Sequence, residues 1–166
     1  MIAQQDFAGG LPLLRDALAD LGERGAAPGY PAFLAVLAAG LGRAGQVIEG
    51  LSVINRALTL AKGREEHWCV PELLRTEGEL RLLEDWAEPA RSSAEDCFRQ
   101  ALEWAQRDRL LGWELRAALH LARLRVSQGR DDEARRMLAP VYDRFTEGFG
   151  TADLRASRAV LDALAS

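Results

Sequence analysis

The feature that most constrains this chain is a helix-pair signature recurring three times. The segments Gly45-Gln46-Val47-Ile48-Glu49-Gly50, Ser92-Ser93-Ala94-Glu95-Asp96-Cys97-Phe98 and Gly129-Arg130-Asp131-Asp132-Glu133-Ala134 each sit between two stretches of helical period. A unit recurring at roughly 34–45 residues predicts stacked helical hairpins, in which each pair buries its apolar face against the next. Arrays of this kind present long surfaces, and they bind more often than they catalyse.

The helical period runs almost throughout. Leu11, Leu14, Leu18 and Leu21 share one stripe. Gly25-Ala26-Ala27-Pro28-Gly29 breaks that helix, and Pro31 suits the first turn of the next. Phe33, Leu34, Leu37 and Leu41 then fall on one face, and Ile48, Leu51, Ile54 and Leu58 on the inward face of the helix after it. Further helices are predicted over about 71–84, 90–107, 111–128, 131–145 and from Thr151, with Asp85 to Pro89 as a turn. Pro140 should kink or shorten its helix, Gly129 should cap one, and Thr151 can cap the last. No run alternates with period two as a half-buried strand would. The expected fold is therefore all-α: an antiparallel helix-hairpin array of about eight helices in one domain over 1–166. It divides into an N-terminal helix (1–29), helix pairs over 30–62, 70–107 and 111–145, and a C-terminal capping helix (151–166).

These units resemble the tetratricopeptide repeat family, which places small residues where two helices cross closely. The small-large-small pattern reads Gly50, Ile54, Ala57, then Ala94, Phe98, Ala101, then Ala134, Leu138, Val141, with Ala38, Gly78 and Ala122 as the small residues of the first helices. The middle unit carries a four-residue insertion around Trp86 to Ser92, and the family's proline after the second helix is missing. Through Ala94-Glu95-Asp96-Cys97-Phe98-Arg99-Gln100-Ala101-Leu102, Trp113-Glu114-Leu115-Arg116-Ala117-Ala118, Leu138-Ala139-Pro140-Val141-Tyr142 and Phe145-Thr146-Glu147-Gly148-Phe149, the stretch from Ala94 to Ser166 also resembles the C-terminal repeat region of large bacterial signalling proteins, which join a nucleotide cyclase or DNA-binding output domain to an ATPase module. The resemblance implies three divergent repeats with flanking helices, stacked as a solenoid. It implies a scaffold or sensor role in bacterial signalling or regulation, with no enzymatic residues here.

Motifs that could carry chemistry are sparse. Gly40-Leu41-Gly42-Arg43-Ala44-Gly45 matches a dinucleotide-binding glycine pattern, but that pattern requires a preceding strand, and Phe33 to Ala39 has helical period. Glu65, Glu66, His67 and Cys69 lack the second ligand pair of a metal site. His67 and His120 have no nucleophile arrangement around them. Neither an enzyme nor a cofactor or metal site is expected. Two cysteines do not make a disulfide framework. The N-terminus has no signal-like segment, and no apolar run would span a bilayer. A cytoplasmic location, with no membrane partner, is the expectation. A net charge of −4 argues against nucleic acid as the partner.

The charge feature that stands out is arginine density from Arg107 to Arg136, where eight arginines face five acids. A solvated surface with i,i+4 ion pairs is one reading, and a cationic groove for an acidic peptide is another. If the family's geometry holds, the first helices of each pair line a concave face. Arg43, Glu72, Arg75, Glu79, Arg116 and Arg123 then point into it, and Trp113, Arg116, His120 and Arg123 share one stripe. The expected function is a protein–protein interaction module gripping a partner protein or peptide through Arg75, Arg116 and Arg123. The alternatives are self-association as a homodimer, with Leu154, Val160, Leu161 and Leu164 pairing across copies, and a small-molecule sensor.

Overall fold

A computed structural model of the protein describes residues 7–23 and 27–165. Among these it is all-helical: α1 (Phe7–Glu23), α2 (Tyr30–Arg43), α3 (Val47–Gly63), α4 (Val70–Glu84), α5 (Glu88–Arg107), α6 (Leu111–Ser127), α7 (Asp131–Tyr142) and α8 (Ala152–Ala163), with one 3₁₀ turn at His67–Cys69. Gly25 and Ala26, expected in the first break, lie outside the described residues, as do Met1 to Asp6 and Ser166.

Four of the connections are built the same way. After α2, α3, α5 and α6, one residue takes left-handed backbone: Gly45 (φ 78°), Glu65 (φ 57°), Arg109 (φ 57°) and Gly129 (φ 71°). The next residue donates its N–H back across the helix end, from Gln46 to Leu41 O (2.9 Å), Glu66 to Ala61 O (3.0 Å), Leu110 to Ala105 O (2.8 Å) and Arg130 to Arg125 O (2.9 Å). This closure satisfies carbonyls that a helix end leaves bare. It also reverses the chain within a few residues, so the flanking helices pack side by side.

Consecutive helices are neighbours throughout, and α2, α4, α6 and α8 also touch in a row. The even helices thus form one layer, with α3, α5 and α7 behind it. Small residues set the spacing. Ala38 is fully buried, and a Cβ on Gly50 would lie 3.0 Å from its carbonyl oxygen. A Cβ on Gly78 would lie 2.5 Å from Cε1 of Phe98, whose ring is fully buried between α4 and α6. Ala94, Ala122 and Ala134 are also fully buried. One apolar cluster runs from α1 through α4 and takes in Ala101 of α5 and Ala117 of α6, and a second joins α6 to α8, with Leu102 of α5 packed against both.

Several expectations need adjusting. Ile48 is 69% exposed because α3 turns its second residue to solvent, and Phe33 is 49% exposed on the even-helix face. Helix α5 starts at Glu88, so Pro89 opens it and the turn before it is shorter. Helix α7 ends at Tyr142, two residues past Pro140, whose ring cannot supply an N–H to the ladder. Thr151 stands at the N-cap of α8, but its side chain makes no capping bond. Leu154 of α8 is buried, with Val160, Leu161 and Leu164 packed onto the α6–α7 cluster, so α8 covers the apolar end of the array.

Candidate functional site

The face of the even helices carries a groove of about 550 Å³. Arg43 comes from α2, Glu72, Arg75 and Glu79 from α4, and Trp113, Arg116, His120 and Arg123 from α6; all eight line it. Their spacing explains why. On α4 and α6 the residues recur every three or four positions, which keeps them on one stripe. On α2, Ala32, Ala35, Val36 and Ala39 continue the stripe to Arg43, so the groove has an apolar wall there. Asp153 of α8 completes the lining.

Arg75 organises the floor. Its Nε donates to Glu72 Oε2 (2.8 Å), and its Nη2 to Glu72 Oε1 (2.8 Å) and Thr76 Oγ1 (3.2 Å). Its Nη1 reaches Glu79 Oε2 (2.6 Å) and His120 Nε2 (3.2 Å). A guanidinium has five N–H donors, and each has an acceptor here. Burial alone would lower the pKa of Arg75, but the hydrogen bonds and charges of Glu72 and then Glu79 hold it above the ordinary arginine value. Arg75 is 9% exposed and has no donor left for a partner. Arg116 is bound by Asp153 Oδ2 (2.6 Å) and Glu72 Oε1 (3.1 Å), with its guanidinium 5.2 Å from the Trp113 ring centre.

His120 is neutral. Burial, reinforced by Arg75 and Arg123, pushes its pKa down to about 3. Its Nε2 lies 3.3 Å from Glu79 Oε1, a pairing that would count as ionic only for a protonated ring. Arg75 can only donate, so Nε2 accepts from it and the proton sits on Nδ1. The ring also rests 5.5 Å from that of Phe98, linking the groove floor to the core beneath.

The two arginines that were to grip a partner, Arg75 and Arg116, are thus held by the protein's own carboxylates. Arg123 is exposed and makes no ion pair among the described residues. Several arginines of α5, α6 and the segments flanking α7 are held in the same way. Arg125 is 9% exposed and forks onto Glu95 with two 2.6 Å bonds, Arg144 reaches the buried Glu114 (2.6 Å), and Arg130 pairs with Glu133. Burial would raise the pKa of Glu95, yet Arg125 and Arg99 hold it below the ordinary value. As groove residues, Asp153, Phe33 and Val36 are not evident from the sequence, which placed Phe33 on an apolar face; for α2, the signal was that Ala32, Val36 and Ala39 precede Arg43 at helical spacing.

The glycine motif ends α2 instead of opening a helix. Gly40 and Gly42 lie inside it, where added Cβ atoms would meet Leu11 (2.8 Å) and Leu80 (2.5 Å). Glu66 accepts the Gly29 N–H (2.8 Å), His67 stacks near Trp104 (5.5 Å), and the Cys69 Sγ–H donates to Glu66 O (3.1 Å). Burial pushes both thiols, Cys69 and Cys97, up to about 11, so they stay protonated and inert. Among the described residues, no three His, Cys, Asp or Glu side chains converge as metal ligands, and no helix is long and apolar enough to cross a membrane.

Compared with protein-family models and with curated proteins, the chain matches none.

Proposed function

We propose that this chain is a non-catalytic interaction module that binds a peptide or partner-protein segment along the groove of α2, α4 and α6, as a scaffold in bacterial signalling or regulation. The observation carrying this reading is a preorganised mixed surface. Four arginines face three carboxylates there, beside exposed Phe33 (49%) and Val36 (58%). The whole chain has a net charge of −4, so the groove is more cationic than its surroundings. An acidic segment with apolar side chains complements both features. The floor already satisfies its own charges, so binding requires no large rearrangement, which lowers its entropic cost.

The clean variant is Arg123→Glu, because Arg123 is exposed and outside the ion-pair lattice. Charge reversal at Arg75 would set two half-buried carboxylates, Glu72 and Glu79, against a buried third and would disrupt the site itself. With Arg123→Glu beside wild type as bait, a specific partner captured from the source cell's lysate should be lost while far-UV helicity stays the same. Equal capture by both baits would sink the proposal.

A further inference from the structure

The two walls of the groove run lengthwise and differ in chemistry. Helices α2 and α6 both pack on α4, so α4 is the floor and a wall stands on either side of it. The α2 wall is apolar along Ala32, Val36 and Ala39, with Phe33 beside them. The α6 wall is cationic, with Arg116 and Arg123 seven residues apart. Seven residues make close to two helical turns, so the two arginines stand on one line, about 10.5 Å apart along α6. We infer that the occupant of the groove is an amphipathic α-helix of a partner protein, laid along α4. One flank of this helix sets an acid against Arg123, and the other sets apolar side chains against α2. The inference rests on the reading of the groove as a peptide site and adds the conformation and pattern of the segment.

Charge places the acid. Arg123 lines the groove, is exposed, and makes no ion pair among the described residues. Arg116 gives Nε to Asp153 and Nη1 to Glu72, which leaves Nη2 without an acceptor among the described residues. Arg75 on the floor is satisfied by Glu72 and Glu79, and Arg43 at the end of the α2 wall already has a partner. The α6 wall therefore calls for a carboxylate over Arg123 and one further acceptor, a carboxylate or amide oxygen, over Arg116.

Spacing decides the conformation. On a helix lying beside α6, residues seven apart share a flank and repeat the same rise of about 10.5 Å, so an acid and an acceptor at that spacing meet Arg123 and Arg116 together. An extended chain turns alternate side chains to one side, so its same-side residues fall about 6.6 or 13 Å apart and match only one of the two arginines. Arg116 is held by two carboxylates and does not swing to make up the difference. The groove also has the width for a helix. Packed helix axes stand about 8–10 Å apart, so the axes of the two walls lie at most about twice that distance from each other across α4. A helix about 10–12 Å across seats on α4 between them, and the small side chains of Ala32 and Ala39 keep the α2 wall low.

The test is to pan two phage-displayed libraries against the full chain. One varies the surface of a stable helical scaffold; the other displays random segments with proline at every third position, which cannot form a helix. The helical library should enrich. Its binders should carry an acid, an Asp, Glu, Asn or Gln seven residues from it, and large apolar residues on the other flank. In calorimetric titrations Arg123→Glu should weaken them about tenfold or more. Replacing their acid by arginine should restore binding to Arg123→Glu, and Val36→Asp on the opposite wall should weaken both versions. Arg123 and Val36 are exposed, so both variants should keep wild-type helicity by circular dichroism. Enrichment of the proline library, alone or equally with the helical one, with binders weakened by Arg123→Glu, would overturn the helix and leave the groove reading standing. Helical binders indifferent to Arg123→Glu and Val36→Asp, or no enrichment from either library, would remove both. A homodimer that Arg123→Glu dissociates would place a second copy of the chain in the groove and overturn the partner assignment.

Discussion

Single side chains decide how this protein responds to acid and to crowding. His120 has its pKa pushed down to about 3, against 6.5 for an ordinary histidine. Between those values the unfolded chain takes up a proton that the folded protein refuses. Stability from this residue is therefore full above pH 6.5 and falls as pH drops toward 3, by up to about 1.4 kcal/mol per pH unit. Urea titrations from pH 4 to 7 should show that slope in wild type and a shallower one in His120→Gln; equal slopes would mean that His120 is not held neutral. Gly78 is the second such residue. Its missing Cβ leaves room for the Phe98 ring, which is fully enclosed and cannot shift far. Gly78→Ala should cost about 1–3 kcal/mol through overpacking, read as a lowered urea midpoint. Both residues drew attention in the sequence for their place in a stripe or a small-residue pattern. What the pattern could not convey was the neutrality of His120, because that depends first on its burial and then on Arg75, which the fold alone brings beside it; Arg123, three residues on in α6, adds to both.

At the scale of elements, the four identical helix ends separate what is legible from what is not. Gly45 and Gly129 announce left-handed turns, because glycine adopts that backbone without a Cβ clash. Glu65 and Arg109 adopt it as well, at a cost that no residue type advertises. Arg109→Gly should therefore stabilise the α5–α6 connection by about 0.5–1 kcal/mol, the relieved strain outweighing glycine's added freedom in the unfolded chain. An unchanged or lower melting temperature would count against strain at that site. The existence of the helices followed from their apolar period, with ends shifted by a few residues at Glu88 and Tyr142. The facing of Ile48 and Phe33 did not follow, since an apolar residue at a helix margin fits either the core or a groove wall equally well.

At the scale of the whole molecule, each helix among the described residues packs mainly on neighbours one or two places away in the chain. Structure of this kind opens in pieces. Among the described residues, helix α1 packs mainly on α2, with Arg15 reaching Gln46 and Glu49 at the exposed start of α3, while α4 and α5 are braced on both sides. Hydrogen exchange should be fastest in α1 and slowest in α4 and α5; uniform protection would show that the array opens only as one unit. The groove was partly legible at this scale. The stripes on α4 and α6 could be read, as could the partners of Arg75, Glu72 and Glu79, at i,i+3 and i,i+4 spacing; the pairing of Arg116 could not, because Asp153 and Glu72 both lie far along the chain from it.

The row of even helices also sets a measure. Neighbouring helix axes stand roughly 8–10 Å apart, and an extended chain advances about 3.3–3.6 Å per residue. A strand laid across the row would therefore meet a new helix about every third residue. Side chains three apart would fall on equivalent stripes, so the spacing of the protein's own backbone acts as a ruler for any sequence crossing it. Inserting or deleting one helix pair would lengthen or shorten that ruler by one division without altering the marks already on it.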